Sequence, residues 1–213
     1  MNLTIRDCSL AFKGFYSPAC IFERSRIERL ATSMLERFSA NNLQPTDLTL
    51  DTGDELYRYL LRVTLFNRLT TFAISAQTAE ANFTRLLSQA DRALAANCLD
   101  TMVNVSKDGL SDHCYVEANV HASFTSPAER EEFFSRRVTD GIDMAGILGY
   151  KSIGNPDQLV RIEIDQSWVY PDAAYLVWKT IGMPLARVVE SPLQLWDIMF
   201  DVTQPLGLEF LDE

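Results

Sequence analysis

Residues 111–128 read SDHCYVEANVHASFTSPA. How the first part of this stretch is read decides the fold. Polar and apolar residues alternate without a break. Cys114, Val116, Ala118, Val120 and Ala122 fall on one side, and His113, Tyr115, Glu117, Asn119 and His121 on the other. A period of two marks a strand with one face against a core. The pattern then changes. Phe124-Thr-Ser-Pro-Ala128 offers Ser126 as a helix N-cap, Pro127 at the first helical position and Glu129 three residues after the cap. Strand therefore gives way to helix at this point.

The same junction occurs once before. Phe15-Tyr-Ser-Pro-Ala19 matches Phe124–Ala128 at four of five positions, at an offset of 109 residues. Residues 2–12 ahead of it have strand character. Behind it, Ile27, Leu30, Ala31, Met34, Leu35 and Phe38 recur at helical spacing, which predicts one apolar helix face. Residues 55–66 and 70–76 are rich in β-branched and aromatic side chains and predict a hairpin, with a further short strand at 47–51. Residues 79–97 return to helical spacing. Residues 101–106, the Lys107-Asp108-Gly109 turn and 112–122 read as a second hairpin. Residues 139–157 are punctuated by glycine and fit either a short helix with a loop or an excursion. Residues 158–168 and 173–182 predict a third hairpin around Tyr170-Pro171-Asp172. A last helix is expected from Ser191-Pro192, with Gln194 completing a capping box and Leu195, Ile198, Met199 and Val202 on its buried face.

The 109-residue offset carries hairpin 55–76 onto 164–185, over the predicted hairpin 158–182. It carries helix 79–97 onto 188–206, over the last helix. The expected class is thus α+β: two diverged strand–helix–hairpin–helix units, 1–99 and 100–213, forming one compact domain. The sheet is mainly antiparallel, with helices packed on one side. In order of elements alone, residues 27–138 resemble the small secretion-chaperone-like fold. That likeness spans about half the chain and rests on no specific motif.

The two histidines of the chain, His113 and His121, both lie in the opening stretch, with Glu117 between them. At about 3.4 Å per residue they stand roughly 27 Å apart along a strand, and Glu117 about 14 Å from each. Metal–nitrogen bonds are about 2 Å, so one ion cannot take both. Cys114 beside His113 forms no dyad, because adjacent strand residues point to opposite faces. The chain carries no nucleophile elbow, P-loop, dinucleotide fingerprint or H-E-x-x-H;. Asp140-Gly-Ile-Asp143 lacks the further ligands of a calcium loop. Arg161, Glu163 and Asp165 share a strand face and read as an ion-paired surface. Arg24, Arg26 and Arg29 on the first helix, and Arg136 and Arg137 at the end of the third, read as solvated. Trp168, Tyr170, Tyr175, Trp178 and Trp196 gather in the last third, and most of these rings are expected in the core.

Net charge is −10, and it is uneven: residues 139–213 hold four Lys+Arg against twelve Asp+Glu. Such a chain repels phosphate backbones and anionic bilayers, so neither nucleic acid nor membrane is an expected partner. The opening MNLTIRDCSLAFKG lacks the basic and apolar regions of a signal peptide, which points to the cytoplasm. There Cys8, Cys20, Cys98 and Cys114 are expected as reduced, small apolar residues. The function expected is a non-enzymatic interaction module of adaptor, chaperone-like or immunity-like kind, with a protein partner and no cofactor or metal. Self-association is left open. Candidate contact residues are Tyr115, Glu117, Asn119 and His121. Two other readings stay open: a small-molecule sensor with a groove between the units, and an enzyme of unrecognised type.

Overall fold

The computed structural model describes residues 1–17, 24–39, 45–50, 61–65, 69–135, 146–153, 155–181, 183–185, 197, 200–201 and 203–211. Elements run β1 (Asn2–Tyr16), α1 (Arg24–Arg37), β2 (Leu48–Leu50), β3 (Leu61–Leu65), β4 (Thr70–Ile74), β5 (Thr78–Thr84), α2 (Gln89–Ser106), β6 (Leu110–Phe124), α3 (Pro127–Ser135), β7 (Gly146–Ile153), β8 (Asn155–Gln166), β9 (Ala173–Ile181), β10 (Met183–Pro184) and β11 (Glu209–Leu211). The protein is α+β, with a mainly antiparallel sheet and helices packed on one side. The strand order is β2-β3-β4-β5-β1-β6-β9-β8-β7, with β10 beside β6 and β11 parallel to β1.

The opening stretch is the long strand β6, and it pairs antiparallel with β1 from Leu3 to Tyr16. These two strands form the centre of the sheet. Outside each lies a three-strand antiparallel meander: β5, β4 and β3 beyond β1, and β9, β8 and β7 beyond β6. The alternating residues Cys114, Val116, Ala118, Val120 and Ala122 are buried. They meet Cys8, Leu10 and Phe12 of β1, and the helices cover this face. In β1 the buried positions change parity, from Leu3 to Cys8, Leu10 and Phe12. A register shift between Ile5 and Asp7 explains it: Arg6 is an extra residue, so the pleat restarts on the other phase;.

Helix α1 buries Ile27, Leu30, Ala31, Met34 and Phe38, the face its spacing predicted, with Leu35 half-buried. The junction from Pro18 onward and the start of the last helix at Ser191-Pro192 lie outside the described residues. So do residues 66–68, where the two predicted strands of the 55–76 hairpin meet. Helix α3 opens at Pro127, and Ser126 Oγ accepts the Glu129 N–H at 3.2 Å. Its Phe133 and Phe134 pack on Phe124 of β6.

Three predicted elements are corrected. Residues 78–84 form strand β5, not helix. Their alternation, with Ala79, Ala81 and Phe83 buried, fits the pleat better than a helix;. Residues 101–106 form the last turns of α2, not a strand. Met102, Val103 and Ser106 continue the buried stripe of Ala95, Cys98 and Leu99. Core contact outweighs the strand preference of Thr101, Val103 and Val105. The Lys107-Asp108-Gly109 turn therefore joins a helix to a strand, with Gly109 at φ 88°;. The position 99/100, read as a boundary between units, falls inside α2. Third, part of 139–157 is ordered as the edge strand β7, paired along β8. The hairpin 158–182 is present as β8 and β9, and its turn is closed by Ala173 N–H to Tyr170 O at 3.1 Å.

The candidate functional site

With the helices on one face, the other face of the sheet presents the odd-numbered residues of β6. Register places Tyr115, Glu117, Asn119 and His121 in the middle of this open face. Asn82, Ala11, Glu117, Lys179, Arg161 and Tyr150 form one row across six strands. Asn119 leads the next row, with Val177, Glu163 and Leu148. His121, Tyr175 and Asp165 make the third.

Tyr115, Glu117 and Asn119 belong to one hydrogen-bonded array, and His121 joins it by ring stacking on Tyr175. Tyr115 Oη donates to Glu117 Oε2, and Asn119 Nδ2 donates to Glu117 Oε1 at 3.1 Å. Lys179 Nζ lies 3.5 Å from Glu117 Oε2 and 4.7 Å above the Tyr115 ring;. Tyr175 Oη donates to Asn119 Oδ1 at 2.6 Å. His121 stacks on Tyr175 at 4.7 Å and meets the edge of Tyr170 at 5.5 Å. None of this needs a metal. Among the described residues, no group of three His, Cys, Asp or Glu side chains could hold one.

Charges on this face are paired across strands or along them: Lys13 with Glu80 at 2.8 Å, Lys179 with Glu117, and Arg161 with Glu163. Glu117 feels two opposed influences. Partial burial alone would raise its pKa, but hydrogen bonds from Tyr115 and Asn119 and the Lys179 charge outweigh that and hold it below the usual range;. Burial and the Glu117 carboxylate push the Tyr115 phenol up. The hydrogen bond with Tyr115 raises Lys179, so the ammonium stays charged.

At the end of the array, His121 Nδ1 lies 2.9 Å from Ser167 Oγ. That oxygen already accepts the N–H groups of Val169 at 3.2 Å and Tyr170 at 2.9 Å. The hydroxyl proton is then free to point at Nδ1, which makes His121 the neutral tautomer protonated at Nε2. Burial lowers the His121 pKa, against a smaller opposing pull from Asp7, and so favours the same neutral form. Ser167 thereby links the array to the β8–β9 turn. At the tip of that turn Trp168 is 95% exposed and Val169 66%.

This corrects the reading of the aromatic cluster as core. Trp178 is buried, at 1% exposure, but Trp168 is not, and Tyr170 and Tyr175 are half-buried on the open face. Trp196 lies outside the described residues. The residues that alternation alone missed are Lys179, Tyr175 and Ser167. They come from a segment 46 or more positions away, and only strand pairing brings them to β6. His113, at the far end of β6, is exposed and takes no part in the array.

Cys8, Cys98 and Cys114 are free and buried. Burial pushes Cys8 and Cys114 up to about 12 and Cys98 to about 11, so none is a ready nucleophile. Cys20 lies outside the described residues. The two meanders are joined through the β1–β6 ladder, whose helix-side residues are buried. No described helix is long and apolar enough to cross a membrane. Compared with known protein families and with curated proteins, the chain matches no family and no individual sequence.

Proposed function

We propose that this chain is a non-enzymatic protein-interaction module whose partner docks on the open face of the sheet. One observation carries the reading: the described helices cover only one face, and the other bears a pre-ordered, charge-paired array centred on Tyr115, Glu117, Asn119 and His121. Nine strands at about 4.8 Å spacing make this face roughly 38 Å wide. That is wide enough for the roughly 800 Å² per partner of a standard protein interface. Three of its ion pairs are internal, Lys13–Glu80, Lys179–Glu117 and Arg161–Glu163. Leu148 and Tyr150, both more than half exposed, add apolar contact at the β7 edge. The free, buried Cys8, Cys98 and Cys114 suit a reducing, cytoplasmic setting;.

We infer also that the two halves are diverged copies of one β-α-β-β-β-α unit. The support is the symmetric strand order and one shared detail. Ser75 Oγ accepts the N–H groups of Gln77 and Thr78 in the β4–β5 turn, as Ser167 Oγ does in the β8–β9 turn. The last residues of β1 and β6 then dock alike: Tyr16 N–H on Gln77 O, and Phe124 N–H on Asp172 O. By sheet position β5 matches β9, so the 109-residue offset holds for the long strands but slips by one strand in the meanders.

The test is a cross-linked pull-down with three baits: wild type, Asn119→Arg with Lys179→Glu, and a control variant on an exposed helix position, Glu28→Lys. A partner kept by wild type and the control, and lost from the open-face variant, supports the reading. Recovery of the same proteins by all three baits rejects it.

A further inference from the structure

The β8–β9 turn and a pocket at the start of α2 fit each other, and the fit concerns neither the open face nor its partner. The turn is rigid before any contact. Ser167 Oγ holds two of its N–H groups, Ser167 N–H donates to Ala173 O at 3.0 Å, and Pro171 restricts its backbone;. On this frame Trp168 and Val169 project almost bare. The fold does not demand that exposure. The matching turn at Ser75 is built on the same hydrogen bonds, yet its Ala76 is 7% exposed and it carries no aromatic ring. A pre-ordered tryptophan loses little entropy on binding and is the side chain most enriched among binding hot spots.

The pocket lies between α2 and the ends of β4 and β5. Leu69, Phe83, Leu86, Leu94 and Ala95 give it apolar walls, and its volume is about 230 Å³. A cavity of about 150 Å³ already holds a benzene ring, so an indole has room here. Leu94 and the neighbouring Leu87 are about two-fifths exposed at the mouth. Arg85 stands at the rim, exposed, with no ion pair among the described residues. It is the one described non-glycine residue with a positive φ, 60°, a strained conformation that often marks a contact site. Opposite charge flanks the tryptophan: Asp165, and Asp172, whose ion pair with Arg6 is long at 4.0 Å.

The Trp168 turn lies beyond the start of β1, and Arg85 lies about midway along that strand, at the end of β5. Arg85 follows Thr84, which pairs with Ser9, and Leu86 N–H donates to Cys8 O. The Trp168 turn precedes Ala173, which pairs with Ser123, itself opposite Thr4. Two copies related by a two-fold axis that brings each tip to the other's α2 pocket would exchange tips, which closes the assembly as a dimer. We propose that the chain forms such a dimer, with Trp168 and Val169 of each copy seated in the α2 pocket of the other and Arg85 facing Asp165 and Asp172.

Light scattering during size exclusion, over a range of concentrations, reads the outcome. Wild type is expected as a concentration-dependent dimer, with Trp168 emission shifted to the blue as it forms. Trp168→Ala and Leu94→Asp should each raise the dimer dissociation constant by about 30-fold or more. Both positions are exposed in the single chain, and circular dichroism confirms that each variant is folded. An equimolar mixture of the two variants restores one of the two contacts, so a heterodimer should form more tightly than either variant alone. A wild type that stays monomeric, or a Trp168→Ala dimer of unchanged affinity, overturns the proposal. So does a monomer whose Trp168 emission shifts blue only with phosphatidylcholine vesicles, which would make the tip a membrane contact instead.

Discussion

The β4–β5 turn and the β8–β9 turn occupy matching places in the two halves of the sheet. Each is organised by a buried serine, Ser75 or Ser167, whose hydroxyl oxygen accepts two successive backbone N–H groups. They differ in what they carry. The first tucks Ala76 into the protein. The second is longer, holds Trp168 and Val169 out in solvent, and is tied through His121 to the open-face array. A turn motif solves the backbone problem in both places, and only one place is loaded with a sticky side chain. Exposure of Trp168 is thus a property of that loop and not of the architecture.

The contrast is broken most directly with two tryptophans ten positions apart. Trp178→Ala empties a fully buried site in β9 and should cost about 3–5 kcal/mol of stability in urea unfolding. Trp168→Ala, measured under dilute conditions, should change stability by less than about 0.5 kcal/mol. Equal losses would mean that Trp168 is packed in the folded chain. Next in size are the serines. Ser75→Ala and Ser167→Ala each leave backbone donors without their acceptor, and each should cost about 1–3 kcal/mol. Only Ser167→Ala should also alter the His121 ring resonances in a proton–nitrogen NMR spectrum. A change at His121 in the Ser75 variant would argue against the assignment of the two turns as independent copies.

Smaller effects follow from titration. The folded His121 pKa lies below that of the unfolded chain, about 6.5. Its contribution is therefore present above that pH and is lost as pH falls through the folded value;. Protonation puts a proton on Nδ1, facing an oxygen that already accepts two N–H groups, so the β8–β9 turn should loosen before the β4–β5 turn. Hydrogen exchange at Val169 and Tyr170, against Gln77 and Thr78, measures this. Faster exchange in both turns together would remove His121 as the cause. Glu117 also titrates low in the fold, so its contribution holds above the unfolded value of about 4.3 and fades as pH falls through the folded one;. Glu117→Gln should flatten the acid limb of the stability profile slightly, because the side chain is 26% exposed and solvent partly screens it;.

Much of this was legible in the chain before any fold was known. Strand β6, the apolar face of α1, the Ser126-Pro127 start of α3 and the β8–β9 hairpin follow from period and turn chemistry, which act over a few residues. The α2 start was misplaced at residue 79, although Ser88-Gln-Ala-Asp91 carries the signal that marks it: a capping box, with Ser88 Oγ and Asp91 carboxylate bonded to each other's backbone N–H;. Residues 101–106 were not legible, because their strand preference is weaker than the core contacts that extend the helix. Nor was the bulge at Arg6, which local alternation does not mark.

The candidate site divides in the same way. Alternation along β6 sufficed to put Tyr115, Glu117, Asn119 and His121 on one side of a strand, and the strand rise sufficed to exclude a metal between the histidines. Which groups surround them was decided by pairing: β9 brings Tyr175 and Lys179 to Asn119 and Glu117, and the turn beyond β8 brings Ser167 to His121. That information is non-local, since it depends on which strands become neighbours and in what register. Local sequence determined the pleat, the helix caps and the turns. Tertiary structure decided the array on the open face and the bare Trp168, because long-range pairing and burial set both.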